Sequence, residues 1–239
     1  MNKEVNILGV PFDSMPKAEA LEILRHFLTE NKNHLVVTPN PEAVMLCKRD
    51  EGFKRAVLGA DLRFADGIGI IIASKIIKDP IPERVSGCDT AFAFLQSVAP
   101  HGKTVYLLGA APGVAEAAKI NLEKSCPGLR VTGIHHGYFN GEEEAGVLEE
   151  IKTLRPDVLI LGMGMPRQEK WAAAHRDLPA RITFCAGGSI DVWAGKVKRA
   201  PEWMRRAGLE WLYRLASQPV RAKRMLDLPR FLAAIILKG

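Results

Sequence analysis

Short apolar runs rich in β-branched residues alternate with longer segments of helical periodicity along most of this chain, and few architectures accept that order. The strand-like runs are Val5–Val10, His34–Thr38, Leu62–Ala65, Thr104–Gly109, Arg130–Gly133, Asp157–Leu161 and Arg181–Ala186. Between them the spacing predicts helices over Pro16–Glu30, Pro41–Ala60, after Asp66, after Pro112, over Glu142–Leu154 and over Arg167–His175. Repeated strand–helix–strand units predict a mainly parallel sheet with helices on both faces, an α/β fold of Rossmann-like layout. The 239 residues suffice for one such body plus an appendage. A change of composition at Gly195–Pro201 sets the boundary: a core over 1–195 and a helical C-terminal appendage over 196–239, which Pro219 and Pro229 are expected to break into short helices.

In such sheets ligands bind beyond the carboxyl ends of the strands, and here those ends are polar or glycine-rich. They are Thr38-Pro39-Asn40, Asp66 to Gly69, Gly109 to Gly113, Gly162 to Glu169 and Gly187 to Asp191. Gly109 to Gly113 leads a strand into a helix and can offer backbone N–H groups to a phosphate, but it is GxxxG rather than GxGxxG, and an ordinary tight turn accounts for it equally well. Arg167, Gln168 and Glu169 stand on the first turn of a helix, where such residues also serve as caps. Asp66 occupies the expected mouth of the pocket. A carboxylate there can act as general base toward a hydroxyl, or simply cap the helix Gly67–Lys78. Arg84 lies in the segment Pro82–Asp89, read as a loop, where a guanidinium can clamp a diphosphate or merely be solvated. Gly109 and Gly188, in their glycine-rich loops, complete the candidate binding set. The combination points to a nucleotide or nucleotide-sugar site.

Charge is distributed unevenly. The formal net charge is +6, yet from Lys196 onward eleven Lys or Arg face only Glu202, Glu210 and Asp227, while the rest of the chain is slightly acidic. The same tail carries two apolar stripes at helical spacing: Trp203, Met204, Ala207, Trp211, Leu212 and Leu215, then Leu228, Phe231, Leu232, Ile235 and Ile236. Apolar faces bearing Trp and Arg suit the headgroup zone of an anionic membrane better than a nucleic-acid groove, so no nucleic-acid partner is expected. Packing of the stripes on the core or on a second copy of the chain is the alternative.

The longest apolar run, Phe231–Leu237, is far below the roughly 20 residues that span a bilayer. The N-terminus lacks signal-peptide structure, which places the body in the cytoplasm. Cys47, Cys88, Cys126 and Cys185 are widely separated and read as buried thiols in a reducing compartment. Histidines with ligand spacing, a DxD pair, a P-loop and a GxSxG elbow are all missing from the sequence. No metal or cofactor is expected, so arginine and backbone N–H groups are expected to meet the charge of a diphosphate.

The loops, taken in order, resemble those of the WecG/TagA/CpsF glycosyltransferases: Thr38-Pro-Asn-Pro-Glu42, Ala65-Asp-Gly-Ile-Gly69, Arg84-Val-Ser-Gly87, Leu107-Leu-Gly-Ala-Ala-Pro-Gly113, Gly137-Tyr-Phe139, Gly162 to Glu169 and Arg199-Ala-Pro201. The tail from Gly208-Leu-Glu-Trp-Leu-Tyr-Arg214 to Arg221 and Arg224 is similar too. The resemblance covers essentially the whole chain and is closest to the TagA branch, which makes the linkage unit of wall teichoic acid. It implies a bacterial, inverting, metal-independent transferase that moves N-acetylmannosamine from its UDP donor to undecaprenyl-diphosphate-GlcNAc at the inner face of the membrane. By position it implies Asp66 as general base on the acceptor's 4-hydroxyl, Thr38, Asn40, Arg84 and Gln168 around sugar and diphosphate, and Asp191 near the uridine. It implies that the appendage brings Arg214, Arg221 and Arg224 over the pocket. Arg167 stands where many relatives have Lys, which keeps the charge.

Alternatives remain at this point: the same family with another UDP-sugar such as the uronic acid, an NAD-type oxidoreductase using the Gly109 loop, or a non-enzymatic membrane module.

Overall fold

The computed structural model describes residues 3–217 and 227–237. A hairpin of β1 (Glu4–Ile7) and β2 (Val10–Asp13) precedes a six-stranded sheet formed by β3 (His34–Val37), β4 (Leu62–Arg63), β5 (Thr104–Gly109), β6 (Arg130–His135), β7 (Val158–Gly162) and β8 (Ile182–Cys185). The sheet order is β4-β3-β8-β7-β5-β6 and every pairing is parallel. All residues of β3, β7 and β8 are buried, as expected for parallel strands covered on both faces. The α/β Rossmann-like expectation therefore holds.

The described helices are α1 (Lys17–Phe27), α2 (Pro41–Cys47), α3 (Glu51–Leu58), α4 (Ile68–Ile76), α5 (Gly87–Val98), α6 (Val114–Ser125), α7 (Gly141–Leu154), α8 (Arg167–Ala174), α9 (Ser189–Trp193), α10 (Glu202–Arg206), α11 (Glu210–Ser217) and α12 (Asp227–Ile236). Two apolar clusters sandwich the sheet. One gathers α2, α3, α4, α7, α8 and α12 with the hairpin, and the other gathers α1, α5, α6 and α9.

Four local expectations change. Val5–Val10 is not one strand, because Leu8 and Gly9 turn with positive φ and the Asn6 side chain accepts the Gly9 N–H at 2.9 Å, closing a hairpin outside the sheet. Pro41–Ala60 is two helices, since Asp50 caps α3 by accepting the Phe53 N–H. The segment after Arg84 is not all loop: from Gly87 it is α5, which buries Thr90, Ala91, Phe94, Leu95 and Val98 at helical spacing. Pro229 does not interrupt a helix but lies in the first turn of α12, where a missing N–H costs nothing, and Pro219 lies outside the described residues.

The two tail stripes have different fates. Phe231 and Ile235 are fully buried in the core, packed with α2 and α4. Arg49 grips Asp227 through two hydrogen bonds of 3.2 and 2.6 Å, fixing the start of α12. Trp203, Leu212, Ile236 and Leu237 stay exposed. No helix among the described residues is long and apolar enough to cross a membrane.

Because Phe231 fills core volume, Phe231→Ala is expected to destabilise the whole domain by about 3–5 kcal/mol, read as a drop in the denaturation midpoint. A tail that merely hung from the body would give no change.

Candidate active site

β3 leads off to β4 at one edge of the sheet while the chain from β5 fills the other side, so the connections part above β3 and β8. A cleft opens there. Its walls include Thr38, Asn40, Asp66, Arg84, Gln168 and Gly188, six of the sequence-predicted residues brought together from separate loops. Gly109 and Asp191 stand outside those walls.

Each loop is held by specific packing. The Asn40 side chain caps α2 by accepting the Ala43 N–H at 2.9 Å, which leaves its amide nitrogen as the group it can offer a ligand. Thr38 is pressed against Gly87: a Cβ there would lie 2.8 Å from the Thr38 hydroxyl. Asp66 does not cap its own helix; Gly67 is the N-cap of α4 and provides no side-chain bond. Instead Asp66 accepts the Gly87 N–H at 3.4 Å, and its own N–H reaches Pro39 O at 3.3 Å, tying the ends of β3, β4 and α5 together. The Val85 N–H donates to Ala65 O at 3.1 Å, which sets Arg84 beside Asp66.

The appendage closes one side. Gly208, Glu210 and Trp211 line the cleft. Gly208 takes φ +73° against Ile68, where a Cβ would approach to 2.8 Å. Arg84 forms an ion pair with Glu210 at 3.6 Å; Glu210 in turn faces Arg199 at 3.3 Å, and Arg199 also binds Asp89. Although burial raises Asp89, hydrogen bonding to the Arg199 guanidinium holds it below the usual carboxylate range. Arg214 lies on α11, one turn beyond Glu210, with its side chain outside what is described; Arg221 and Arg224 lie outside the described residues.

Gly109 has a packing task. Its Cα stands so near β7 that a Cβ would fall 2.4 Å from the Gly162 backbone. Asp191 sits half-buried on α9 and accepts the Lys196 and Val197 N–H groups through its carbonyl at 3.0 and 3.2 Å. Arg167 braces the loop after β6, donating to Gly137 O and, at 3.0 Å, to Phe139 O.

Sequence reasoning gave neither Glu210 nor Glu169 a place in the site: Glu210 counts among the few acids of the tail, and Glu169 stands with the first turn of its helix, where it also serves as a cap. An acid in a strongly basic tail was a usable signal for the first. Glu169 lines the cleft, is 6% exposed and accepts from Gln168 Nε2 at 2.8 Å through Oε1. Its Oε2 is buried with no hydrogen-bond partner among the described residues. Burial pushes its pKa up to about 7, with the Gln168 bond opposing.

The family model described as the Glycosyl transferase WecG/TagA/CpsF family matches residues 5–239. The chain belongs to this family. It is 33% identical over 235 residues to the Staphylococcus aureus (strain MW2) protein named N-acetylglucosaminyldiphosphoundecaprenol N-acetyl-beta-D-mannosaminyltransferase, covering 97% of this chain and 92% of that one. It is also 33% identical over 211 residues to the protein of the same name from Bacillus spizizenii, covering 88% of this chain and 81% of that one. The cleft residues therefore belong to a member of a glycosyltransferase family, whose Rossmann-like sheet carries polar, glycine-rich loops at the carboxyl ends of its strands.

The buried Glu169 gives a pH signature. The folded chain keeps its proton up to pH about 7, whereas the unfolded chain releases it near the ordinary glutamate value of 4.5. Stability should thus fall as pH rises through that window. Glu169→Gln removes this loss, and is expected to be more stable than the wild type by about 3 kcal/mol at pH 8 and by little at pH 4.5 in chemical denaturation.

Proposed function

We propose that this chain transfers N-acetylmannosamine from a UDP donor to GlcNAc-diphosphoundecaprenol, the reaction for which its relatives are named. The observation that carries the assignment is the convergence of Thr38, Asn40, Asp66, Arg84, Gln168 and Gly188 on one cleft in a chain of this family.

In this reading Asp66 takes the proton from the acceptor's 4-hydroxyl. The oxygen attacks the anomeric carbon from the face opposite the diphosphate, the new C–O bond forms as the old one breaks, and UDP leaves with inversion. Negative charge develops on the leaving diphosphate, where fixed positive charge is worth most. Arg84 lines the cleft and Arg214 follows Glu210 on the cleft-side helix, which supports arginine as the source of that charge. Asn40, Thr38 and Gln168 supply neutral hydrogen-bonding groups for sugar hydroxyls. Gly188, with Asp191 close behind it on α9, supports a uridine position at that end.

The acceptor is a membrane lipid, and the exposed Trp203, Leu212, Ile236 and Leu237 on a basic tail support docking on an anionic bilayer at its cytoplasmic face. The anchor and the cleft wall are then one segment, so that docking brings the cleft to its substrate.

Asp66→Asn should fold normally and lose about 10²–10⁴-fold in transfer from UDP-N-acetylmannosamine to a short-chain lipid-diphosphate acceptor, followed by product chromatography. Normal turnover by that variant removes Asp66 as the base, and preference for the uronic-acid donor would reassign the sugar. Replacing Arg214, Arg221 or Arg224 by Ala should lower kcat on the same soluble acceptor by about 10-fold or more. Unchanged turnover would leave the tail an anchor only.

A further inference from the structure

Gln168 and Glu169 form a buried pair inside the cleft wall, 3% and 6% exposed. Gln168 Oε1 accepts the Gly164 N–H at 3.2 Å, and Gln168 Nε2 donates to Glu169 Oε1 at 2.8 Å. A backbone N–H can only donate, so turning the carboxamide over would break the bond to Gly164. One N–H of Nε2 then remains for anything else. Glu169 Oε2, by contrast, makes no hydrogen bond among the described residues. A leucine would fill the same space without burying an unpartnered oxygen, so packing alone does not account for a carboxyl group here. The titratable groups facing it are the thiols of Cys47 and Cys185, both raised by burial and neutral, and they offer Glu169 no countercharge.

We propose that Glu169 is a positioning residue: its carboxyl group fixes the Gln168 carboxamide so that a single N–H donor is presented to an acceptor oxygen of the nucleotide-sugar. This rests on the reading of the cleft as the donor site. It explains why Glu169 stays at this depth, and it makes the wall selective for a hydroxyl, carbonyl or phosphate oxygen over a donor group.

A double-mutant cycle of Glu169→Leu and Gln168→Ala tests it, read in kcat/KM and, by calorimetry, in the affinity for UDP. Glu169→Leu is expected to lose about tenfold or more in kcat/KM while its melting temperature holds or rises, and Glu169→Gln, which keeps an acceptor oxygen, to restore most of the activity. In the Gln168→Ala background Glu169→Leu should change nothing further. Equal losses in both backgrounds would overturn the positioning role while leaving the donor site intact. Full kcat/KM in Gln168→Ala alone would overturn the reading of the wall itself. Should Glu169→Leu misfold, Glu169→Met carries the same cycle, and faster hydrogen exchange of the Gln168 side-chain amide in Glu169→Gln than in the wild type would also count against the pair.

Discussion

Parallel strands covered on both faces leave their side chains little room to be polar away from the strand ends. The strands β3, β7 and β8 are buried along their whole length, so what they contribute to chemistry must sit in the few residues that follow each of them. The reversal of connection direction above β3 and β8 opens those residues onto a common crevice. Close approach then sharpens the crevice: Gly87 lies against Thr38, Gly69 against Pro41 and Gly109 against Gly162, and any of these with a Cβ would push its neighbour aside. The glycines of the loops are therefore divided between packing and presentation, and Gly109 is on the packing side.

The appendage is less separate than its charge suggests. Its last described helix is pinned by Arg49 on Asp227 and by Phe231 in the core, and its first turns reach the cleft through Gly208, Glu210 and Trp211. A basic tail with buried acids is a tail whose docking geometry is set by ion pairs. Glu210 of the tail faces Arg84 from the core and Arg199 from the tail, and Asp89 of the core faces Arg199 and Arg205 of the tail. Removing Arg199, which meets both acids, leaves each with a single arginine, and buried charge that loses compensation costs more than the pair contributes when whole.

The sheet was legible because its signal is collective: β-branched runs recurring between helical segments allow little else. The cleft was legible where a residue follows a strand directly, as Thr38, Asn40 and Asp66 do. What escaped depended on partners distant in sequence. The start of α5 looked like a loop because Gly87 opens it, yet that glycine is required by Thr38, which lies 49 positions earlier. Asp66 read equally as base or cap, and only the fold shows that its hydrogen bond goes to Gly87 rather than into α4. Glu169 was hidden in plain sight beside Gln168, because two neighbours on a helix normally face apart and nothing in the spacing indicates that these side chains meet. The apolar stripes looked alike, but only the second has α2 and α4 across from it.

Glu210 bears on how the cleft handles charge. Arg84 is the guanidinium among the described cleft residues that the proposed reading sets against the diphosphate, and it is already engaged by that carboxylate at 3.6 Å. A diphosphate that takes hold of Arg84 must face Glu210 across the same guanidinium. The repulsion is tolerable because Arg199 lies on the far side of Glu210, 3.3 Å away, and can retain it when Arg84 changes partner. In the proposed reading this exchange would lower net affinity for the ground-state ligand, since one ion pair is given up for another, without weakening the attraction that grows as charge builds on the departing diphosphate. Glu210 begins the helix that carries Arg214, so the carboxylate that engages Arg84 sits on the segment holding the next arginine. Arg84 of the core and the helix bearing Arg214 are thereby linked through one buried carboxylate.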